Sequence, residues 1–263
     1  ISGAVSLPVP LVYNVGKFLV TTTKSKEQGC NCNYVPTQPT KVKVKKLEET
    51  KREAIVVHLR NDVLLTTPSW TNFQLEKYLK DDTKPAFFVN KCTVFCGGLA
   101  KMNLCLDAQR IRDLPNAGGT SVASEAMSFE ILKRTLQAQL LKTEMELQYF
   151  PSNSKITDYA VTMFGLTIGV SVTRAMNFRG KFTLNDAQRL LTKKLYGVVV
   201  STQNVLDNFH KQILHVWIRT DKDARVLKAA YHALDQSLKS NTVVMVTVAT
   251  NAEWIFFEPK CKI

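Results

Sequence analysis

The chain has 263 residues, of which 45 % are hydrophobic and 22 % are charged, an ordinary globular balance that excludes an extensively disordered protein. Its 35 lysines and arginines exceed its 22 aspartates and glutamates, so the net charge is +13 and the pI is near 9.5. Residues 1–119 hold 17 basic and 10 acidic side chains, and residues 120–263 hold 18 and 12. An excess spread over both halves favours nucleic acid as a partner, although basic members of protein assemblies share it.

The N-terminal residues give few structural signals. Residues 4–23 are apolar, but prolines and polar residues interrupt them, so no transmembrane span is predicted. Residues 24–41 have the composition of a linker or long loop. The alternating lysines and valines within residues 40–49 predict an edge strand whose lysine face is either solvated or in contact with phosphate groups.

The segments that follow give both helix and strand signals. Residues 48–65 predict a helix, and residues 69–80 predict a second helix that is capped by Ser69 or Asn72. Residues 85–99 are rich in aromatic and β-branched side chains and predict a strand that ends at a pair of glycines.

The cysteine pattern argues against a zinc site. Cys30 and Cys32, like Cys92 and Cys96, lack the two-residue spacing that is typical of zinc-binding cysteine pairs. Cys92, Cys96 and Cys105 lie in apolar surroundings, which predicts buried free thiols. Free thiols in turn favour an intracellular, reducing compartment, whether cytoplasm, nucleus or organelle.

The run from Gly118 to Arg174 carries the strongest chemical signal. Ser124 can cap a helix, and Glu125 and Glu130 follow in its first turns, where carboxylates favour the positive end of the helix dipole. Apolar residues recur at helical spacing, namely Met127, Phe129, Leu132, Leu136 and Leu140.

Three short strands are predicted after this helix. The strand and turn signals cover, in order, a strand at residues 142–150, a turn at residues 151–154, and strands at residues 155–164 and 166–176 that are joined through Gly165. This hairpin places Asp158 beside the pair Ser171 and Thr173 on a neighbouring strand.

Helices and strands continue to alternate in the C-terminal part of the sequence. The predicted elements are a helix at residues 186–197 capped by Asn185 or Thr183, strands at residues 198–205 and 211–220, a helix at residues 223–238 that starts at Asp221 or Asp223, a buried strand at residues 241–249, and an edge strand at residues 253–259. Such alternation predicts an α/β sandwich with a mixed sheet.

The order of an acidic helix, a strand, a strand with Asp158 and a third strand resembles the core of the PD-(D/E)XK nuclease superfamily, over residues 121–257. The resemblance implies a restriction-endonuclease-like α/β sandwich with a central mixed sheet, over residues 119–263, after an N-terminal α+β region at residues 1–118. In that superfamily a helix Glu, a strand Asp and a Glu-x-Lys motif hold one or two divalent cations and position the attacking water.

Two of the three superfamily motifs match residues of this sequence, and the third departs from the pattern. Glu130, or alternatively Glu125, matches the helix acid, and Asp158 matches the strand acid. Ser171 and Thr173 stand where the third motif has glutamate and lysine, so this motif departs from the pattern. Neither hydroxyl supplies the charge that a hard cation or a developing anionic transition state requires. We therefore expect weak activity or none on generic DNA and RNA.

Nearby charged residues can replace the missing groups. Glu146 or Glu144, on the preceding predicted strand, can supply a carboxylate, so the resemblance implies Mg²⁺ or Mn²⁺ held by Glu130, Asp158 and Glu146. Lys193 or Lys194, in the next predicted helix, can supply the cation. The alternative for each of these side chains is an ordinary solvated surface position.

Three classes of function follow from these patterns. The first is a metal-dependent nuclease, the second is a nuclease-like protein that binds nucleic acid without cutting it, and the third is an inactive nuclease fold within a larger protein assembly. The strings GGTS, SFE, KTEME, KITDYAV and IGVSVTRAM also resemble an uncharacterised eukaryotic family first named from AAC-rich messenger RNA clones.

Overall fold

The computed structural model describes residues 13–15, 18–20, 54–60, 63–68, 71–95, 97–117, 121–177 and 180–257. The chain divides into two compact units, Ile1–Arg52 and Glu53–Ile263. In the first unit, β1 (Tyr13–Val15) pairs antiparallel with β2 (Phe18–Val20). The predicted linker and the predicted edge strand at residues 40–49 lie outside the described residues.

The larger unit is an α/β structure built on a mixed eight-stranded sheet, as predicted. Its strands are β3 (Ala54–Arg60), β4 (Val63–Pro68), β5 (Ala86–Val94), β6 (Gln139–Thr143), β7 (Tyr159–Met163), β8 (Leu166–Ala175), β9 (Lys211–Ile218) and β10 (Val243–Thr250). They lie side by side in the order β3-β4-β5-β10-β9-β8-β7-β6. The helices are α1 (Thr71–Lys80), α2 (Leu106–Asp113), α3 (Val122–Leu136), α4 (Leu184–Asn204), α5 (Asp221–Ala233), α6 (Gln236–Lys239) and α7 (Glu253–Phe256).

The centre of the sheet is parallel and its flanks are antiparallel. Strand β10 pairs in parallel with β5 on one side and with β9 on the other, and β9 pairs in parallel with β8. Every residue of β9 is buried, as is normal for a strand covered on both faces. Strand β10 is buried at all but its last residue, which explains the nearly continuous apolar run in the β10 sequence. Strands β3 to β5 and β6 to β8 are antiparallel.

Each face of the sheet carries its own core. Helix α3 covers one face, where Phe129 packs against Tyr159 and Trp217 is fully buried. Helices α4 and α5 cover the other face, with Leu191 and Leu227 among the buried residues. None of the described helices is long and apolar enough to cross a membrane.

The unit boundary lies at residue 52 and not at residue 118. Strand β5, which precedes residue 118, pairs along eight residues with β10 near the C terminus. Residues 54–117 therefore complete the sheet of the C-terminal half rather than form a separate α+β region.

Two predicted helix and strand assignments are wrong because tertiary pairing or packing decides them. Residues 48–65 were expected to be helical, but residues 54–60 and 63–68 form the β3–β4 hairpin, whose β-branched side chains suit a strand paired to β5. The strand expected at residues 198–205 is the last part of α4, because the apolar face of that helix continues at helical spacing to Val198 and Ser201.

Two further strand predictions need correction. The strand expected at residues 142–150 lies at Gln139–Thr143 and is followed by a 3₁₀ turn at Glu144–Glu146, which Thr143 and Glu146 cap reciprocally. The edge strand expected at residues 253–259 contains the short helix α7. The corresponding predictions are confirmed for helix α1, for the β7–β8 hairpin and for strands β5, β9 and β10.

Candidate active site

Asp158 lies directly before β7 and is held against β8. Its backbone N–H donates to the Val170 carbonyl at 3.1 Å, and its carboxylate Oδ2 accepts a hydrogen bond from the Val172 N–H at 2.5 Å. The two β8 residues in these contacts, Val170 and Val172, lie on either side of Ser171. The aspartate side chain therefore has a fixed position beside the strand that carries the departing third motif.

Helix α3 is fixed against the sheet by two buried side chains of β9. The Trp217 Nε1–H donates to the Ser124 carbonyl at 3.0 Å, and His215 Nδ1 hydrogen-bonds to Ser128 Oγ at 2.6 Å. Because the sheet interior excludes water, these bonds are costly to break. They fix the first turns of α3, which carry the buried Glu125.

Several charges act on the Asp158 carboxyl. Burial raises its pKa well above the usual value, and the neighbouring charges of Glu125 and then Glu144 raise it further. The Val172 N–H and the Lys194 ammonium act in the opposite direction. We call Glu125, Glu144 and Asp158 the acid cluster, with Lys194 as its positively charged neighbour.

Glu144 reaches the acid cluster from the 3₁₀ turn after β6. Its Oε2 accepts a hydrogen bond from the Ala117 N–H at 2.7 Å. Burial raises the pKa of Glu144, and this hydrogen bond offsets only part of the increase. Glu144 is thus a stronger base than a solvated glutamate.

Glu130, the first choice for the helix acid, has other partners. Its Oε2 accepts from the Cys105 N–H at 2.9 Å and its Oε1 accepts from Arg134 Nε at 3.0 Å. Burial raises its pKa, but the hydrogen bonds from Cys105 and Arg134 outweigh burial, so the pKa lies below its usual value. The structure thus favours Glu125, the alternative, as the helix acid near Asp158.

The remaining predicted site residues are divided between the acid cluster and the surface. Glu146 accepts from the Thr143 N–H, which lowers its pKa, and its other oxygen pairs with Arg110. Lys193 is exposed, whereas Lys194 is half-buried and acts on Asp158. The structure therefore favours Glu144 and Lys194 over Glu146 and Lys193.

The hydroxyls of the third motif lie next to the acid cluster without adding charge. Ser171 is half-buried and Thr173 is buried, and both belong to the part of β8 that pairs with β9. Strand alternation places Arg174 on the face of β8 opposite to Ser171 and Thr173, where its guanidinium donates to the Phe256 carbonyl. This is the face covered by α3, because Val172 on the same side packs in the core beneath that helix.

The donor chemistry of the acid cluster fits a hard cation. Among the described residues, no group of three or more His, Cys, Asp and Glu side chains is close enough to hold a metal ion directly. Mg²⁺, however, usually keeps several water ligands and binds through one or two carboxylates. Glu125 and Asp158 are two carboxylates whose charges act on each other, and a nearby cation would oppose that repulsion.

Two of the cysteines lie in the described part of the chain, and both are free thiols. Cys92 is fully buried, as predicted, and burial raises its pKa to about 12. Cys105 is only half-buried, although the sequence predicts a buried thiol, and burial is the main reason that its pKa rises to about 11. Cys30, Cys32 and Cys96 lie outside the described residues.

Part of the site was not visible in the sequence. The Ala117 and Val172 N–H groups donate to the Glu144 and Asp158 carboxylates through the backbone, which no side-chain pattern reveals. The only sequence feature that distinguishes Glu144 from Glu146 is the capping motif Thr143-x-x-Glu146. Because the Glu146 side chain caps the 3₁₀ turn, its carboxylate is already bound within that turn.

The comparisons with known proteins identify one similar protein of unstated function. No protein-family model and no solved structure matches the chain. The sequence is 40 % identical over 209 residues to the AAC-rich mRNA clone AAC4 protein of Dictyostelium discoideum. The match covers 73 % of this chain and 30 % of that protein, so the chain spans less than a third of its relative. This similarity supports the resemblance to the family named from AAC-rich messenger RNA clones, and the nuclease resemblance has no support of this kind.

Proposed function

We propose that the larger unit is a nuclease-like domain that binds nucleic acid and hydrolyses phosphodiester bonds at the acid cluster with Mg²⁺ or Mn²⁺. The observation that carries the proposal is the fixed position of the Asp158 carboxylate beside Ser171, where the charges of Glu125 and Lys194 act on it. Glu125 belongs to α3, Asp158 precedes β7 and Lys194 belongs to α4, so the three residues are far apart in sequence.

The order of elements supports the restriction-endonuclease-like form of the fold. Helix α3 precedes the antiparallel strands β6, β7 and β8, and helix α4 connects β8 to the parallel strand β9. Asp158 stands at the start of the second of these strands, beside Ser171 on the third. This is the arrangement that the resemblance implies.

Each residue of the site has a distinct proposed role. Glu125 and Asp158 would hold the cation, and the Val172 N–H orients the Asp158 oxygen that it contacts. A bound divalent cation would lower the pKa of a water molecule and neutralise the scissile phosphate. Glu144, whose pKa is raised by burial, is suited to accept a proton from water.

Lys194 takes the place of the lysine that Thr173 does not provide. Helix α4 follows β8 and packs back across the sheet, so a half-buried lysine on its third turn can act at the Asp158 carboxyl. In the transition state this ammonium would offset the developing negative charge. We therefore expect activity that is low but depends on Lys194.

The test is divalent-dependent cleavage of single-stranded and double-stranded DNA and RNA. Asp158→Asn and Glu125→Gln should abolish cleavage, and Lys194→Met should lower it about 100-fold, the usual effect of one lost electrostatic contact. Lys193→Met is the matched control, because Lys193 is exposed on the same helix, and it should keep wild-type activity.

Three results would contradict the proposal. Cleavage that survives Asp158→Asn would place the chemistry elsewhere. Salt-sensitive binding without any cleavage by the wild-type protein would assign the domain to nucleic-acid binding alone, and absence of both would favour a structural part in an assembly.

A further inference from the structure

A second candidate site lies at the far end of α3 from the acid cluster. A cleft with a volume of about 550 Å³ opens between α1, the C-terminal end of α3 and the β7–β8 hairpin. Its size is within the range of small-ligand sites. The side chains that matter are three amides and two phenyl rings, namely Asn72, Gln137, Gln139, Phe73 and Phe164.

Phe164 has an unfavourable backbone conformation. It forms the two-residue turn of the β7–β8 hairpin with Gly165, and both residues have positive φ, 53° and 76°. Asn-Gly suits such a turn, whereas a bulky residue in the left-handed region is an outlier. Strain of this kind is concentrated at functional sites, and the half-buried Phe164 ring both packs against the core and lines the cleft.

Phe73 presents a second phenyl ring at the same cleft. Helix α1 buries Thr71, Leu75 and Leu79 against the sheet, and Phe73 is 74 % exposed on its outer side. An isolated exposed phenyl ring needs no explanation. Here, however, the ring adjoins a cleft whose amide groups can both donate and accept hydrogen bonds.

We propose that this cleft binds an unpaired base of a single-stranded nucleic acid, with Phe73 and Phe164 as stacking surfaces and the amides against the base edge. Base recognition in single strands combines aromatic stacking with hydrogen bonds to the exposed edges. The carboxylate of Glu76 does not oppose such a ligand, because Lys80 neutralises it at 2.6 Å. The ammonium of Lys80 also lies 5.9 Å from the centre of the Phe164 ring.

The positive net charge favours nucleic acid over a neutral ligand. A carbohydrate also uses aromatic rings and amides, but it gains nothing from a chain with a net charge of +13. Helix α3 connects the two sites, because Glu125 and Gln137 are twelve residues apart, or about 18 Å along a helix. The choice of nucleic acid as the ligand rests on the proposed function. An oligonucleotide a few nucleotides long would reach from the acid cluster to this cleft.

The experiment measures the binding of a labelled oligothymidylate by fluorescence anisotropy at low salt without divalent cations. Phe73→Ala should weaken binding about 10-fold, the effect of losing one stacked base. Phe164→Asn should weaken it similarly although Asn suits the turn better. Phe150→Ala is the matched control, because Phe150 is 78 % exposed and does not line the cleft, and it should bind like the wild type.

An abasic strand of the same length distinguishes base contacts from phosphate contacts. We expect the wild type to bind it more weakly and Phe73→Ala to cause no further loss. Equal binding of both strands by the wild type, unchanged binding by Phe73→Ala, or binding of a neutral oligosaccharide in place of the oligothymidylate would overturn the inference. Because no metal is present, the assay is independent of cleavage: Phe73-dependent binding without cleavage would refute only the proposed reaction.

Discussion

At the scale of single residues, Asp158 is expected to reduce the stability of the protein. Burial and the charge of Glu125 raise its pKa well above 3.8, the value of an unperturbed aspartate. Between these two pKa values the folded state binds a proton that the unfolded state has released, so stability falls as the pH rises. Asp158→Asn removes the charge and keeps an acceptor for the Val172 N–H.

We therefore expect Asp158→Asn to be more stable than the wild type at pH 7, by on the order of 1 kcal/mol. The difference should disappear near pH 3.5, where the wild-type carboxyl is protonated in both states. Urea denaturation at the two pH values measures both quantities. A variant that is less stable at pH 7 would show that the carboxylate is structural.

His215 should give the opposite pH dependence. Burial lowers its pKa from 6.5 to about 3, and the neutral ring bonds to Ser128 and to Thr247. Below pH 6.5 the unfolded state takes up a proton that the folded state does not, so stability is lost as the pH falls towards 3, by at most about 1.4 kcal/mol per pH unit. Relative to the wild type, His215→Gln should lose less stability between pH 7 and pH 5. Equal losses in the two proteins would contradict a neutral buried ring.

The sequence did not distinguish Glu125 from Glu130 as the α3 carboxylate near Asp158. Both glutamates lie on α3 and both are buried. Glu130 is bound by the Cys105 N–H, 25 residues earlier in the chain, and no local pattern indicates that contact. Asp158 was predictable, because it begins a strand of a recognisable hairpin.

At the scale of secondary structure elements, Lys211 links β9 to the end of α1. Its buried ammonium donates to the carbonyls of Tyr78, Asp81 and Lys84, at 2.5, 2.5 and 2.7 Å. A cation at this position satisfies carbonyls at the C-terminal end of a helix and interacts favourably with its dipole.

Lys211→Met should therefore lower the free energy of unfolding by about 2 to 3 kcal/mol, the value of a hydrogen bond to a buried charged group. Lys77→Met, at an exposed position of α1, is the matched control and should change stability by less than about 0.5 kcal/mol. Chemical denaturation at pH 7 compares the two variants. Equal stability would show that the three carbonyls are satisfied without the ammonium.

Elements whose apolar residues follow a clear helix or strand pattern were predictable. Elements whose secondary structure depends on pairing or packing with distant segments were not. Helical periodicity of the apolar residues identified α3 and α5, a nearly continuous apolar run identified β10, and the β-branched and aromatic residues of β9 identified that strand. Residues 54–60 were misassigned to a helix although their β-branched residues favour a strand, whereas residues 198–204 were misassigned to a strand because their valines favour that structure. Pairing with β4 makes the first a strand, whereas packing on the sheet makes the second the end of α4.

At the scale of the whole molecule, the net charge of +13 predicts binding that depends on ionic strength. The basic residues are spread over the sequence, so we expect affinity for nucleic acid to be largely independent of base sequence. Because each neutralised phosphate releases counterions, affinity should fall linearly on a log–log plot against salt. Titrations at several salt concentrations measure the slope. A flat plot, or no binding at low salt, would contradict the proposed partner.

The account depends most on whether the acid cluster binds a divalent cation, and calorimetric titration with Mn²⁺ tests this directly. The account predicts binding by the wild type that is lost in Asp158→Asn and in Glu125→Gln. Glu146→Gln, which removes a carboxylate outside the cluster, should bind like the wild type. Wild-type binding that survives Asp158→Asn and Glu125→Gln, or no binding by the wild type, would contradict the central claim.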